Sequence, residues 1–144
     1  MQTKQHFGVY GIILKDNNIL LIKKSRGPYK GKLDLPGGRP ELDETNLETL
    51  IREVIEETRV VINQAELFNN YNITLNYKID GIEEELNHSG AVYLVTSYDD
   101  SKLVNEIHIE DSLGAQWFAI TDLTETMLSP FAFYVIDEIK KSSN

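Results

Sequence analysis

The sequence predicts an α/β domain in which a mixed β-sheet carries helices on both faces. Two observations point there. Runs rich in Val, Ile and Tyr alternate with two amphipathic, well-punctuated helical segments, in the order strands, helix, strands, helix. The chain has 144 residues, 41% of them hydrophobic, which is enough for one ordinary core, and no linker or repeat divides it, so residues 1–144 are expected to form a single domain.

The elements follow in order. "FGVYGIILKDNNILLIKKS" reads as two strands with "KDNN" as the hairpin turn between them. "RGPYKGKLDLPGGRPELDE" is dense in Gly and Pro and reads as a long loop, and loops of that length in compact domains are usually functional. A helix then starts at a capping box, Thr45 with Glu48 three residues on. Leu47, Leu50, Ile51 and Val54 form its apolar stripe, expected to face the core. "LFNNYNITLNYKI" and "EEELNHSGAVYLVTSY" flank "DGIE" as a hairpin, and "GAQWFAI" is a further short strand. The last helix has Ser129 as N-cap, Pro130 at the first helical position, and Lys140 and Lys141 in its last turn. Its apolar face is Phe131, Tyr134, Val135 and Ile139.

Composition excludes several functions. A net charge of −9 argues against a protein that holds nucleic acid by its phosphates. It leaves room for a small phosphorylated substrate, because a metal can supply positive charge locally. The chain has no cysteine, which removes disulfides, zinc thiolates and thiol catalysis. No apolar run approaches the ~18 residues of a membrane span, and "MQTKQHFGVYG" lacks the apolar core of a secretion signal. No membrane association and a cytoplasmic location are therefore expected.

The chemistry concentrates between Glu41 and Glu57. Seven acids (Glu41, Asp43, Glu44, Glu48, Glu53, Glu56, Glu57) stand there against one base, Arg52. Glu53, Glu56 and Glu57 recur at helical spacing on one narrow stripe, where like charges repel. That stripe lies beside the apolar one, so the acids are expected at the edge of the buried interface. Oxygen ligands with no His or Cys among them select a hard cation, Mg²⁺ or Mn²⁺, over zinc. Gly37 and Gly38 let the backbone come close, so a main-chain carbonyl there could be a further ligand.

Gly38, then five residues, Glu44, then seven residues, then "REVIEE" with Val60 closing, resembles the signature box of the Nudix hydrolases. The flanking "LPGG", Glu41 and the paired-strand entry look like the family too. There are two departures. Arg59 stands where the family usually has Gly, and Leu33 where it often has Trp, which removes one aromatic surface beneath the loop.

The resemblance implies an α/β/α sandwich and hydrolysis of a diphosphate bond in a nucleoside diphosphate linked to another group. It makes Glu56 and Glu57 the main metal ligands and Glu53 a third ligand or the base that activates water. Arg52 would orient Glu53, and Glu44 would be structural, pinning Arg52. Gly37 joins the metal site and Gly38 the substrate site. Arg26, Lys30 and Lys32 are candidates for the remaining phosphate charge, and Glu106, Glu110 and Asp111 for an extra carboxylate. Homodimers are common in the family, though nothing in the chain specifies an interface.

Substrate choice lies outside the box. Tyr29, Tyr77, Tyr93, Trp117 and Phe118 are candidates to stack on a base, against the alternative of sheet-face aromatics. Tyr77 falls near where some dinucleoside-polyphosphate hydrolases of the family carry a tyrosine. The proline typical of ADP-ribose hydrolases is absent, which lowers that option. His6, His88 and His108 are scattered, form no metal set and read as surface or sheet positions. The competing reading is a nucleotide-binding regulatory domain without turnover, whose sign would be loss of one or more box acids. A third reading is an isomerase or an RNA 5′-end pyrophosphohydrolase of the same fold, and the latter would need a basic path that this charge does not suggest.

Overall fold

The computed structural model describes residues 2–103 and 112–142. Strand β1 (Gln2–Ile12) leads through β2 (Leu14–Lys15) to β3 (Asn18–Lys24), and the loop that follows contains two short strands, β4 (Leu33–Asp34) and β5 (Gly37–Gly38). Helix α1 (Asn46–Thr58) comes next, then the long hairpin β6 (Val61–Ile79) and β7 (Ile82–Asp99), strand β8 (Ser112–Ala119) and helix α2 (Pro130–Ser142). One sheet has the order β5-β1-β7-β6, with β1 and β7 parallel and the other neighbours antiparallel. The second sheet is antiparallel, with β2, β4 and β8 all paired to β3.

Both central strands bury two faces. Tyr10, Ile12, Ile19 and Leu21 meet Phe131, Ala132, Val135 and Ile136 of α2. Their neighbours Val9, Ile13, Leu20 and Ile22 meet Leu50 and Val54 of α1. Covering on both sides is why these runs read as continuous apolar stretches and not as alternation. The result is the α/β/α sandwich with mixed pairing that the sequence predicts.

Local signals hold well. The Thr45–Glu48 capping box is present in both directions. Ser129 caps α2, accepting from the Ala132 amide at 3.0 Å and donating to buried Asp34 at 2.9 Å. The β6–β7 turn is Asp80-Gly81, with φ of 54° and 77°, the left-handed pair a two-residue hairpin requires. Leu33, in the place of the family's Trp, packs at the edge of the α2 core, and its carbonyl accepts the Ser129 amide at 2.9 Å.

Three expectations need correction. Leu47, Ile51 and Tyr134 are exposed. The buried face of α1 runs instead through Thr49, Leu50, Glu53, Val54, Glu57 and Thr58, so the helix is rotated to press its acids, and not Leu47 and Ile51, against the glycine loop. The first strand starts at Gln2 and not at Phe7, because Gln2–His6 continue the parallel register against Glu84–His88. The long loop is also less free than it reads, since β4 and β5 stitch it to both sheets.

Arg59 ends α1 in the left-handed region, φ 66° and ψ 15°, with its N–H bonded to the Ile55 carbonyl at 3.0 Å. A side chain in that conformation costs on the order of 1 kcal/mol that glycine avoids. Arg59→Gly is therefore expected to raise stability by up to about 1 kcal/mol in urea unfolding. An unchanged or lower midpoint would contradict strain at this cap. Among the described residues no helix is long and apolar enough to cross a membrane.

Candidate active site

Of the three glutamates in the second half of α1, two are inside the protein. Glu53 is 6% exposed and Glu57 3%, while Glu56 is half-buried. What brings them in is the glycine loop, fixed beside β1 by the pairs Val9↔Gly38 and Tyr10↔Gly37 and by the Gly11 amide on the Pro36 carbonyl at 2.9 Å. The Gly37 N–H donates to Glu57 Oε1 at 2.8 Å, so Gly37 meets the box through its amide. A Cβ on Gly38 would stand 2.5 Å from the Cδ and Oε2 atoms of Glu53. Glycine is needed there for space.

Arg52 gathers the acids. Its guanidinium lies 2.6 Å from Glu44, 2.8 Å from Glu53, 3.5 Å from Glu56 and 3.6 Å from Glu41. It also donates to the Arg39 carbonyl at 3.1 Å. Glu44 takes two of these hydrogen bonds, from Nε and Nη2, and further ones from the Thr49 hydroxyl and the Glu41 amide. The Arg52 hydrogen bond, with smaller help from the Glu41 amide, holds the Glu44 carboxyl down to about 2. The hydrogen bond to Glu44 in turn leads the effects that push the Arg52 guanidinium up.

A divalent cation fits this donor set. The donors are all oxygens, two of the carboxylates are nearly out of water, and Arg52 contributes one positive charge against the four carboxylates it touches and Glu57 beside them. Among the described residues no three acidic or histidine side chains converge on one point. Glu53 is turned to Arg52 and Glu57 to the Gly37 amide, so sharing an ion requires these carboxylates to rotate.

Beside the box lies a cavity of about 650 Å³ whose wall includes Gly37, Gly38, Glu41, Arg52 and Glu53 at one part. Lys4, Lys24, Arg26 and Arg39 add positive charge to it, and Tyr10, Tyr29, Tyr77 and His88 add aromatic surface. His88 is 2% exposed, with its two ring nitrogens each 2.7 Å from a phenol, Nε2 from Tyr10 and Nδ1 from Tyr29. Burial above all drives its pKa down to about 3, so the ring is neutral. Burial likewise pushes the Tyr29 phenol up, which keeps its proton on.

Of the basic candidates, Arg26 lines this cavity; Lys30 and Lys32 do not, and the Lys32 ammonium donates to the Thr126 carbonyl at 2.6 Å. Tyr29 and Tyr77 line it too. Tyr93 and Trp117 pack at the edge of the α1 core, and Phe118 at the edge of the α2 core. Glu106, Glu110, Asp111 and His108 lie outside the described residues. His6 and His88 do sit in the sheet as expected, but they are not scattered: they pair in register, with ring centroids 4.9 Å apart. Sequence reasoning missed Tyr10, His88 and Arg39 as cavity residues. Only Arg39 had a signal, its place directly after Gly38.

A family model described as NUDIX domain matches residues 4–139. An ADP-ribose pyrophosphatase of Methanocaldococcus jannaschii is 53% identical over 53 residues, 37% of this chain and 31% of that protein. The putative nudix hydrolase 1 of Caenorhabditis elegans is 32% identical over 112 residues, 75% of this chain and 26% of that protein. The chain thus matches less than a third of the length of either relative. A MutT NUDIX hydrolase from Burkholderia pseudomallei superposes with a TM-score of 0.69 at 24% identity, covering 93% of this chain and 97% of the other. The NUDIX domain of Shewanella oneidensis NrtR, complexed with ADP ribose, gives 0.64 at 20% identity, covering 97% and 89%. At these identities the two structures speak for the fold. The matched span takes in the glycine loop, the glutamate helix and both sheets, and the chain belongs to the Nudix hydrolase family.

Proposed function

We propose that this chain hydrolyses a phosphoanhydride bond in a nucleoside diphosphate linked to another group, using Mg²⁺ or Mn²⁺ held by Glu53, Glu56 and Glu57 beside Gly37. The observation that carries this is the burial of Glu53 and Glu57 against the glycine loop, at the edge of a cavity whose wall is partly cationic. Burying carboxylates is costly unless their charge is matched. Members of the family generally use divalent metals. Bound at these oxygens, such an ion would offset diphosphate charge and lower the pKa of the attacking water.

The chain's own residues do the rest. Arg52 fixes one oxygen of Glu53, and Gly38 limits where the other can go. Glu53 so placed serves as third ligand or as the base that takes the water proton, and Glu44 keeps Arg52 in position. Arg26, with Lys4, Lys24 and Arg39, meets phosphate charge in the cavity. The missing proline weighs against ADP-ribose, whereas the archaeal relative, an ADP-ribose pyrophosphatase, weighs for it, so ADP-ribose stands first among substrates to try.

The test is a hydrolysis panel with Mg²⁺, covering ADP-ribose, nucleoside triphosphates, nucleotide sugars, dinucleotide cofactors and dinucleoside polyphosphates, with Glu56→Gln as the blank. A metal-dependent product absent from the blank is expected. No product across the panel, from a folded protein, would overturn the hydrolase reading.

A further inference from the structure

Along the cavity wall runs a row of hydrogen-bonded side chains in which only Arg39 has a part in meeting phosphate charge. Arg39 Nε donates to His6 Nδ1 at 2.7 Å, His6 Nε2 lies 3.2 Å from the Tyr10 hydroxyl, and Tyr10 and Tyr29 bracket His88. We propose that Tyr29 reads a hydrogen-bond acceptor on the base of the nucleotide, and that the row from Arg39 through His6, Tyr10 and His88 fixes the direction in which its hydroxyl donates. The inference rests on the nucleotide reading above and deepens it.

The direction follows from one end. A guanidinium N–H can only donate, so His6 Nδ1 must accept, and a neutral imidazole then carries its proton on Nε2. That proton goes to the Tyr10 oxygen. Tyr10 gives its own to His88 Nε2, and His88, neutral and with one proton to place, donates from Nδ1 to Tyr29. In this order each member of the row between Arg39 and Tyr29 accepts from the one before it and donates to the one after it, which is how buried polar groups are normally satisfied. Tyr29 at the end has its oxygen engaged and its proton left for the cavity it lines.

The row is also rigid. The His88 ring stacks on Phe131 with centroids 4.2 Å apart and planes 22° from parallel, and the Tyr10 ring lies 4.9 Å from Phe131. It starts at the residue that meets the glutamate box, because the Arg39 carbonyl accepts from Arg52 while its side chain holds His6. The same cavity thus has a metal-binding part and, joined to it through Arg39, a part where the Tyr29 hydroxyl is a neutral donor. Such a donor suits a base carbonyl or ring nitrogen and rejects an amino group at the same position. Leu86 and Ile79, apolar, share that wall.

The test is equilibrium binding by calorimetry with Mg²⁺ present, using two probes that resist hydrolysis. One is α,β-methylene-ADP; the other is methylenediphosphonate, which lacks the base. Wild type is expected to bind the first more tightly. Tyr29→Phe, which removes one oxygen, should weaken it about tenfold while leaving methylenediphosphonate unchanged. His88→Phe keeps a ring against Phe131 but ends the row; it should reproduce the loss in wild type and add nothing to Tyr29→Phe. Equal weakening of both probes, no effect of Tyr29→Phe, or no advantage of the base-bearing probe in wild type would overturn the proposal. If His88→Phe does not fold, Tyr29→Phe alone decides. Turnover plays no part in the measurement, so failure of the hydrolase reading is seen separately, in the substrate panel.

Discussion

Glu57→Gln is expected to lose at least ~100-fold in kcat/KM while melting close to wild type, since partners that only orient ligands already cost 10–100-fold and a ligand costs more. The amide keeps the size of the side chain and one oxygen to accept the Gly37 N–H, now 2.8 Å from the carboxylate, so the contact between helix and loop survives. What disappears is a negative charge that is 3% exposed and faces the glycine loop. Steady-state kinetics with Mg²⁺ beside a thermal melt separates the two effects. A folded variant with wild-type kcat/KM would remove Glu57 from the site.

Gly38→Ala is expected to lose about 100-fold in kcat/KM, through one methyl group, because a misplacement near 1 Å at a reacting centre has that effect. Backbone conformation is not the cause, since Gly38 is not among the positive-φ glycines. The new Cβ would stand 2.5 Å from the Glu53 carboxylate. The loop cannot easily retreat, being paired to Val9 of β1, and Glu53 is itself tied to Arg52 at 2.8 Å. The carboxylate must therefore shift relative to Glu56 and Glu57. Alanine with unchanged kinetics would mean that the position of Glu53 does not matter to the chemistry.

Features written in neighbouring residues were legible in the sequence. The Thr45–Glu48 box, the Ser129-Pro130 start of α2 and the Asp80-Gly81 turn are local, and each appears where its residues specify. The clustering of acids on α1 was legible for the same reason. How deep they sit was not. Leu47 and Ile51 suggested a stripe beside the acids, yet the glycine loop draws Glu53 and Glu57 inward and leaves those two apolar residues exposed. Hydrophobicity alone ranks a leucine above a glutamate for burial, and only the tertiary approach of Gly37 and Gly38 reverses that order here.

The aromatic part of the cavity was out of reach for a different reason. His6 and His88 meet because β1 and β7 run parallel, and no turn sequence specifies the register of strands joined by so long a connection. Tyr10 is core on one side while its hydroxyl serves His88 on the other, and nothing in its local sequence marks that double role. Arg26 and Lys32 belong to one Gly-rich loop and look equivalent in sequence, but only Arg26 lines the cavity, because Lys32 is bound to the segment before α2.

The central claim is that a divalent cation belongs beside the α1 glutamates, and Mn²⁺ titration followed by electron paramagnetic resonance tests it without assuming a substrate. Free Mn²⁺ gives a signal that diminishes on binding. Wild type is expected to diminish it, and the double variant Glu56→Gln, Glu57→Gln, melting as wild type does, to leave it unchanged. Equal Mn²⁺ uptake by the folded double variant would contradict the account and place the metal, if the protein uses one, elsewhere.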